Sequence, residues 1–180
     1  GPSNDPAVPP MIPVKAGTPA TITVKSSQEA NIPVRQYGVI NTDASNMAKI
    51  ATTQFNEVNS GIDIPVGANY WKFIGFEVTT ANRLHYYQIL VNFAGDHVDF
   101  DRCWIHSLED YTNNPEASCR IGISYSGSTM NLTNSRVAYF SAYVLGTTSV
   151  DNNFAILHEG SSLTVDNSYL GAWYEAFISG

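Results

Sequence analysis

The sequence predicts an all-β protein built as a stacked parallel solenoid, and three observations carry that prediction. Four segments, 62–78, 89–105, 121–137 and 154–170, align without gaps, and a self-similar unit of this length is the mark of a repeat architecture. Apolar columns run through all four in register: Phe73, Phe100, Leu132 and Val165; Trp71, Val98, Met130 and Leu163; Val78, Ile105, Val137 and Leu170. Two residues after the first of these columns stand Gly75, Arg102, Asn134 and Asn167, three of them Gly or Asn. Those residue types tolerate the left-handed backbone that a one-residue bend between strands requires.

The elements follow in chain order. Six of the nine prolines fall in the first twenty residues; missing backbone donors and fixed φ make 1–20 a Pro-rich arm or linker. The β-helix domain then runs over 21–180. Ile22, Thr23, Val24 and Lys25 alternate as a strand does. Asp43 to Ala48 reads as a capped short helical turn and Lys49 to Thr52 as the next strand. In the repeats, three further columns are assigned inward: Ile62, Ile89, Ile121 and Phe154; Ile64, Val91, Ile123 and Ile156; Val66, Phe93, Tyr125 and His158. Their neighbours Leu90, Gly122 and Ala155 are assigned outward. The Phe73 column recurs at intervals of 27, 32 and 33 residues, so length variation is assigned to the connections 79–88, 106–120 and 138–153. Stacked inward positions of this kind build the core of a solenoid, here of about four to six coils.

Composition narrows the partners. The chain has 180 residues, 43 % apolar and 14 % charged, with nine basic against sixteen acidic residues and a net charge of −7. The absence of any basic cluster argues against a nucleic-acid surface, which depends on Lys and Arg to displace counterions. No apolar run approaches the roughly 20 residues that cross a bilayer as a helix. Cys103 and Cys119 lie in no metal-ligand spacing. They are consistent with one bridge or with two free thiols, a buried thiol being the simpler reading for Cys103.

Two stretches, Asp96-His97-Val98-Asp99-Phe100-Asp101-Arg102-Cys103-Trp104-Ile105-His106 and Leu163-Thr164-Val165-Asp166-Asn167-Ser168-Tyr169-Leu170, resemble the coils of bacterial secreted right-handed parallel β-helix proteins of the pectate-lyase-like superfamily. The likeness extends through 69–78 and more weakly through 42–50. It implies an all-β, right-handed parallel β-helix and an extracellular monomer whose partner is a polysaccharide or oligosaccharide. It leaves open a lyase- or hydrolase-like activity, a non-catalytic carbohydrate-binding or adhesive role, and a structural one. Because such proteins usually carry more coils, the chain is expected to be truncated at its C-terminus.

Coil stacking places Asp101 and Asp166 two coils apart, about 9.6 Å, with Thr133 between them. That is at the edge of the separation of an inverting glycosidase's carboxyl pair; the alternative is two solvated acids entering a bend. Lys72 and Asp99 are expected to form a surface ion pair. In the 106–120 connection, His106, Glu109, Asp110 and Arg120 are candidates for acid and base with Tyr111 as a stacking platform, unless the segment is only a solvated insertion. Tyr139, Tyr143 and Trp173 are further candidates for stacking on sugar rings. His158 reads as a core histidine beside Tyr125. The outward positions hold too few carboxylates for calcium, so no cofactor is expected of these residues, and calcium is left to any coils beyond Gly180.

Overall fold

The computed structural model describes residues 20–52, 62–80, 87–107, 119–140, 153–172 and 175–179. The arm, apart from Ala20, therefore lies outside the described residues. The chain folds as a parallel β-helix of three five-stranded parallel sheets. The first sheet stacks β1 (Ile22–Lys25), β4 (Trp71–Ile74), β7 (Val98–Asp101), β10 (Thr129–Thr133) and β13 (Ser162–Asp166). The second stacks β2 (Ala48–Thr52), β5 (Phe76–Thr80), β8 (Trp104–His106), β11 (Arg136–Phe140) and β14 (Tyr169–Ala172). The third stacks β3 (Ile62–Ile64), β6 (Tyr87–Phe93), β9 (Cys119–Tyr125), β12 (Phe154–His158) and β15 (Glu175–Ser179). Each coil thus contributes one strand to each sheet, and the described residues make five coils.

The register is the one the apolar columns predict for the first two sheets. Val24, Phe73, Phe100, Leu132 and Val165 are successive partners, as are Ile50, Val78, Ile105, Val137 and Leu170. Inward residues alternate with half-buried outward ones along β4 and β7. Stacking like on like also builds aromatic columns: Phe73 on Phe100 with ring centroids 5.4 Å apart, then Phe93, Tyr125, His158 and Phe177 in sequence at 5.4, 5.3 and 6.1 Å. Each fully buried residue such as Phe100 or Leu132 contributes roughly 1.5–3 kcal/mol.

The third sheet corrects two sequence assignments. Ile62 pairs with Val91 and Ile64 with Phe93, two residues out of the gapless alignment, and Val66 is 78 % exposed rather than inward. The bend between β3 and β4 holds two more residues than its equivalents: Pro65 accepts from Ala68 N at 3.0 Å, and Gly67 takes a φ of +86°. The column assigned outward is also wrong, since Leu90 and Ala155 are fully buried. At Gly122 an added Cβ would lie 2.7 Å from the Phe140 ring and 2.6 Å from the Ala155 carbonyl oxygen. Phe140 takes the volume a side chain there would need.

The bends joining the first sheet to the second are left-handed at Gly75, Arg102, Asn134 and Asn167, with φ of 70°, 52°, 51° and 44°. In coil one the same bend is replaced by a long excursion from Ser26 to Met47, closed at its base by the Ser26 hydroxyl on the Asn46 carbonyl at 2.7 Å. It includes short 3-10 helices at Glu29–Asn31 and Asn41–Asn46. This strap runs the length of the solenoid over the bends. Ile32 packs on Gly75 and Gly38 on Ser135, and Asn167 Nδ2 donates to the Arg35 carbonyl at 2.8 Å while its Oδ1 accepts from Tyr37 N at 3.2 Å. The strap lays Ile32 on its outward leg, and Val39 and Met47 on its return, against Trp104 in a second, smaller core.

Candidate functional site

Asp101, Thr133 and Asp166 are in-register partners on β7, β10 and β13, as the sequence expects. Their environments differ. The Asp101 carboxylate accepts from Arg102 Nε at 3.2 Å, Asn134 Nδ2 at 2.9 Å and Thr133 Oγ1 at 3.4 Å, whereas Asp166 is exposed. Arg102, the odd member of its column, donates Nη1 to the Glu29 and Ile32 carbonyls and Nη2 to Glu29 Oε1. Bonds from Lys25 and Arg102 hold the Glu29 carboxyl below its ordinary value. Asp101 is therefore part of the seam that fastens the strap. Asp99 accepts from Asn131 Nδ2 at 2.7 Å; Lys72 and Asp99 are the cross-strand neighbours the sequence expects, but they are not among the ion pairs of the described residues.

His106 stands on the outer face of the second sheet, away from the aspartates. Only 6 % exposed, it stacks on Trp104 with ring centroids 3.9 Å apart. Its Nε2 lies 3.1 Å from Glu77 Oε1, which also accepts from Lys49 Nζ at 2.9 Å, and its Nδ1 lies 2.7 Å from the Ser107 carbonyl. Glu77 is buried. Desolvation works to raise its pKa, but the hydrogen bonds from His106 and Lys49 outweigh it and hold the carboxyl below its ordinary value.

Farther along the same face, Glu77, Trp104, Arg136 and Tyr169 follow one another from coil to coil. β11 carries a bulge here: Val137 pairs with Leu170 but Phe140 with Ala172, and Tyr139 adopts a φ of +66°. The extra residue turns Tyr139 toward Arg136, whose Nη2 donates to the Tyr139 hydroxyl at 2.9 Å. The guanidinium carbon is 5.3 Å from the Tyr139 ring centroid and 4.9 Å from that of Tyr169. Tyr37, at the far turn of the strap, is joined through its backbone to Asn167, two residues before Tyr169. Tyr37 and Tyr169 are 67 % and 45 % exposed.

Of the remaining candidates, Arg120 is half-buried on β9. Glu109, Asp110, Tyr111, Tyr143 and Trp173 lie outside the described residues. In this neighbourhood the sequence singles out Tyr139 and His106 but not Glu77, Arg136, Tyr169 or Tyr37. The column one residue before Val78, Ile105, Val137 and Leu170 contains the first three and was the available signal. His158 stacks on Tyr125, but it is half-buried and its Nε2 has no hydrogen-bond partner among the described residues, so the expected hydrogen-bonded core histidine is not what forms. Burial pushes the Tyr125 hydroxyl up to about 12, with Asp96 adding to it. Cys103 and Cys119 are free and buried, their thiols both pushed up to about 12 by desolvation. Among the described residues no three His, Cys, Asp or Glu side chains gather closely enough to hold a metal ion, and no helix is long and apolar enough to cross a membrane. Set against protein-family models, curated proteins and solved structures, the chain matches none of them.

Proposed function

We propose that this chain is a carbohydrate-binding β-helix that holds a polysaccharide or oligosaccharide without cleaving it, and that it belongs with the secreted bacterial solenoids its coils resemble. The observation that carries the reading is two exposed tyrosines, Tyr37 and Tyr169, which the bond from Tyr37 N to the Asn167 side chain brings to the same end of the bend ladder. Sugar rings present apolar C–H faces that pack on such planes, and Tyr169 is held on a strand of the second sheet, which lowers the entropic cost of ordering it. The glycosidase alternative draws less support. It asks for two available carboxyl groups, and of the Asp101–Asp166 pair one is committed to three hydrogen bonds in the strap seam.

The test is a panel of soluble glycans offered to the purified protein, with binding followed by calorimetry and products by reducing-end release and the ultraviolet absorbance of unsaturated uronides. Binding without product, weakened about tenfold by Tyr169→Ala or Tyr37→Ala, is the expected result. Product formation would restore the enzymatic reading, and binding unchanged by both substitutions would remove the aromatic surface from it.

A further inference from the structure

We propose that His106 is a proton-operated latch: with both ring nitrogens protonated it ties Glu77 on β5 to Ser107 beyond β8, and loss of one proton releases the Ser107 end. Its two partners carry the inference. Nδ1 lies 2.7 Å from the Ser107 carbonyl oxygen and Nε2 lies 3.1 Å from Glu77 Oε1, and a carbonyl or an ionised carboxylate only accepts. Glu77 is ionised, since its carboxyl is held below its ordinary value. A neutral imidazole has a single N–H, so only the imidazolium can donate to both oxygens at once. The surroundings suit that cation. The Trp104 ring stacks on the imidazole with centroids 3.9 Å apart, and the His106–Glu77 pair is buried, where the attraction between opposite charges is least screened. The charged groups of the neighbouring elements are bonded already. Lys49 on β2 shares Glu77 Oε1 at 2.9 Å, Arg136 on β11 donates to the Tyr139 hydroxyl, and Arg35 and Asp43 of the strap pair with each other. Relative strength decides which bond is released. Once one proton leaves, the remaining N–H keeps the charged Glu77 acceptor, because charge-assisted bonds are the stronger, and Nδ1 turns a lone pair on the Ser107 oxygen. Ser107 passes the change on: its hydroxyl accepts from the backbone N–H of Cys119, the first residue of β9, at 3.3 Å. Histidine is the side chain whose charge ordinarily changes near neutrality, so the junction of β8 with β9 responds to pH where carboxylates do not.

Solution NMR on the nitrogen-labelled protein tests this between about pH 5 and about pH 9, the span over which histidines titrate, with the exposed His97 as a reference on the same chain. As the His106 ring loses a proton, Nδ1 is expected to become the unprotonated nitrogen and the Cys119 amide shift should follow the ring. Protection of that amide from hydrogen exchange, corrected for the intrinsic pH dependence of exchange, should fall about tenfold over the same transition. In His106→Gln the protection should be independent of pH. Circular dichroism checks that the variant is folded, and if it is not, the wild-type titration decides alone. Four results overturn the latch: a His106 ring that keeps one protonation state throughout, loss of the proton from Nε2, a Cys119 amide that does not move with the His106 ring, or the same response in His106→Gln.

Discussion

Asn167 donates its side-chain Nδ2 to Asn134 Oδ1 at 2.7 Å, one coil above it, and Asn134 in turn donates to Asp101 at 2.9 Å. These bonds continue from coil to coil along the line of left-handed bends. Each member supplies a tolerated backbone conformation and a rung of the ladder, and the two contributions can be separated.

Asn134→Gly keeps the left-handed backbone and loses the rungs, costing about 1–2 kcal/mol. Asn134→Ala loses the rungs and adds left-handed strain of roughly 1–2 kcal/mol. Urea denaturation should therefore rank wild type above the glycine variant and the glycine variant above alanine. Equal stability of the two variants would mean that the bend does not require this φ.

Asp101 and Asp166 share a column but not a role in stability. Asp101→Asn weakens charge-assisted bonds to Arg102 and Asn134 and should lower stability by about 1–2 kcal/mol. Asp166→Asn, on an exposed side chain, should stay within about 0.5 kcal/mol. Thermal denaturation of the two variants side by side would expose any reversal of this order.

Glu77 makes stability depend on acid. Its folded pKa is depressed, so its stabilising contribution is fully present above the unfolded carboxyl value and is lost as pH falls through the folded one. Glu77→Gln should thus be less stable than wild type near pH 7, by about 1–3 kcal/mol, and the gap should close on acidification. A gap that stays constant from pH 7 to pH 3 would contradict the ion-pair account.

The buried thiols give a simple chemical check. With both pushed up to about 12 and shielded from solvent, neither Cys103 nor Cys119 should react with a disulfide reagent in the native protein. Both should react after denaturation without reductant, because no bridge joins them. One fast native thiol, or none in denaturant, would be inconsistent with the structure.

Gly122 tests the packing of the third sheet. An added methyl would meet the Phe140 ring and the Ala155 carbonyl well inside contact distance, so Gly122→Ala should destabilise by about 1–3 kcal/mol. A smaller penalty in a Phe140→Leu background would identify the ring as the obstacle.

The columns through Phe73 and Val78 were legible because each inward position must be apolar in every coil, and four aligned segments repeat the signal. The third sheet was read less well. Ile62, Ile64 and Val66 alternate like a single strand, but Pro65 and Gly67 turn the chain before Val66 can point inward, and a gapless alignment hides the longer bend. The bulge at Tyr139 leaves no mark on apolar periodicity, so its contact with Arg136 was not readable. The environment of Asp101 depends on Glu29 and Ile32 acting through Arg102 across 73 and 70 positions, a relationship that local pattern does not encode.

Solenoids commonly lose their outer repeats first, because each coil is held only by its neighbours. The strap alters that expectation by fastening segments 130 and 132 positions apart, Tyr37 and Arg35 to Asn167, between the first coil's connection and the last coil. Fraying of coil five must break contacts rooted in coil one, so the ladder should melt as one cooperative unit. The same long-range closure must form before the strap can dock, which should make folding slow for a protein of this size.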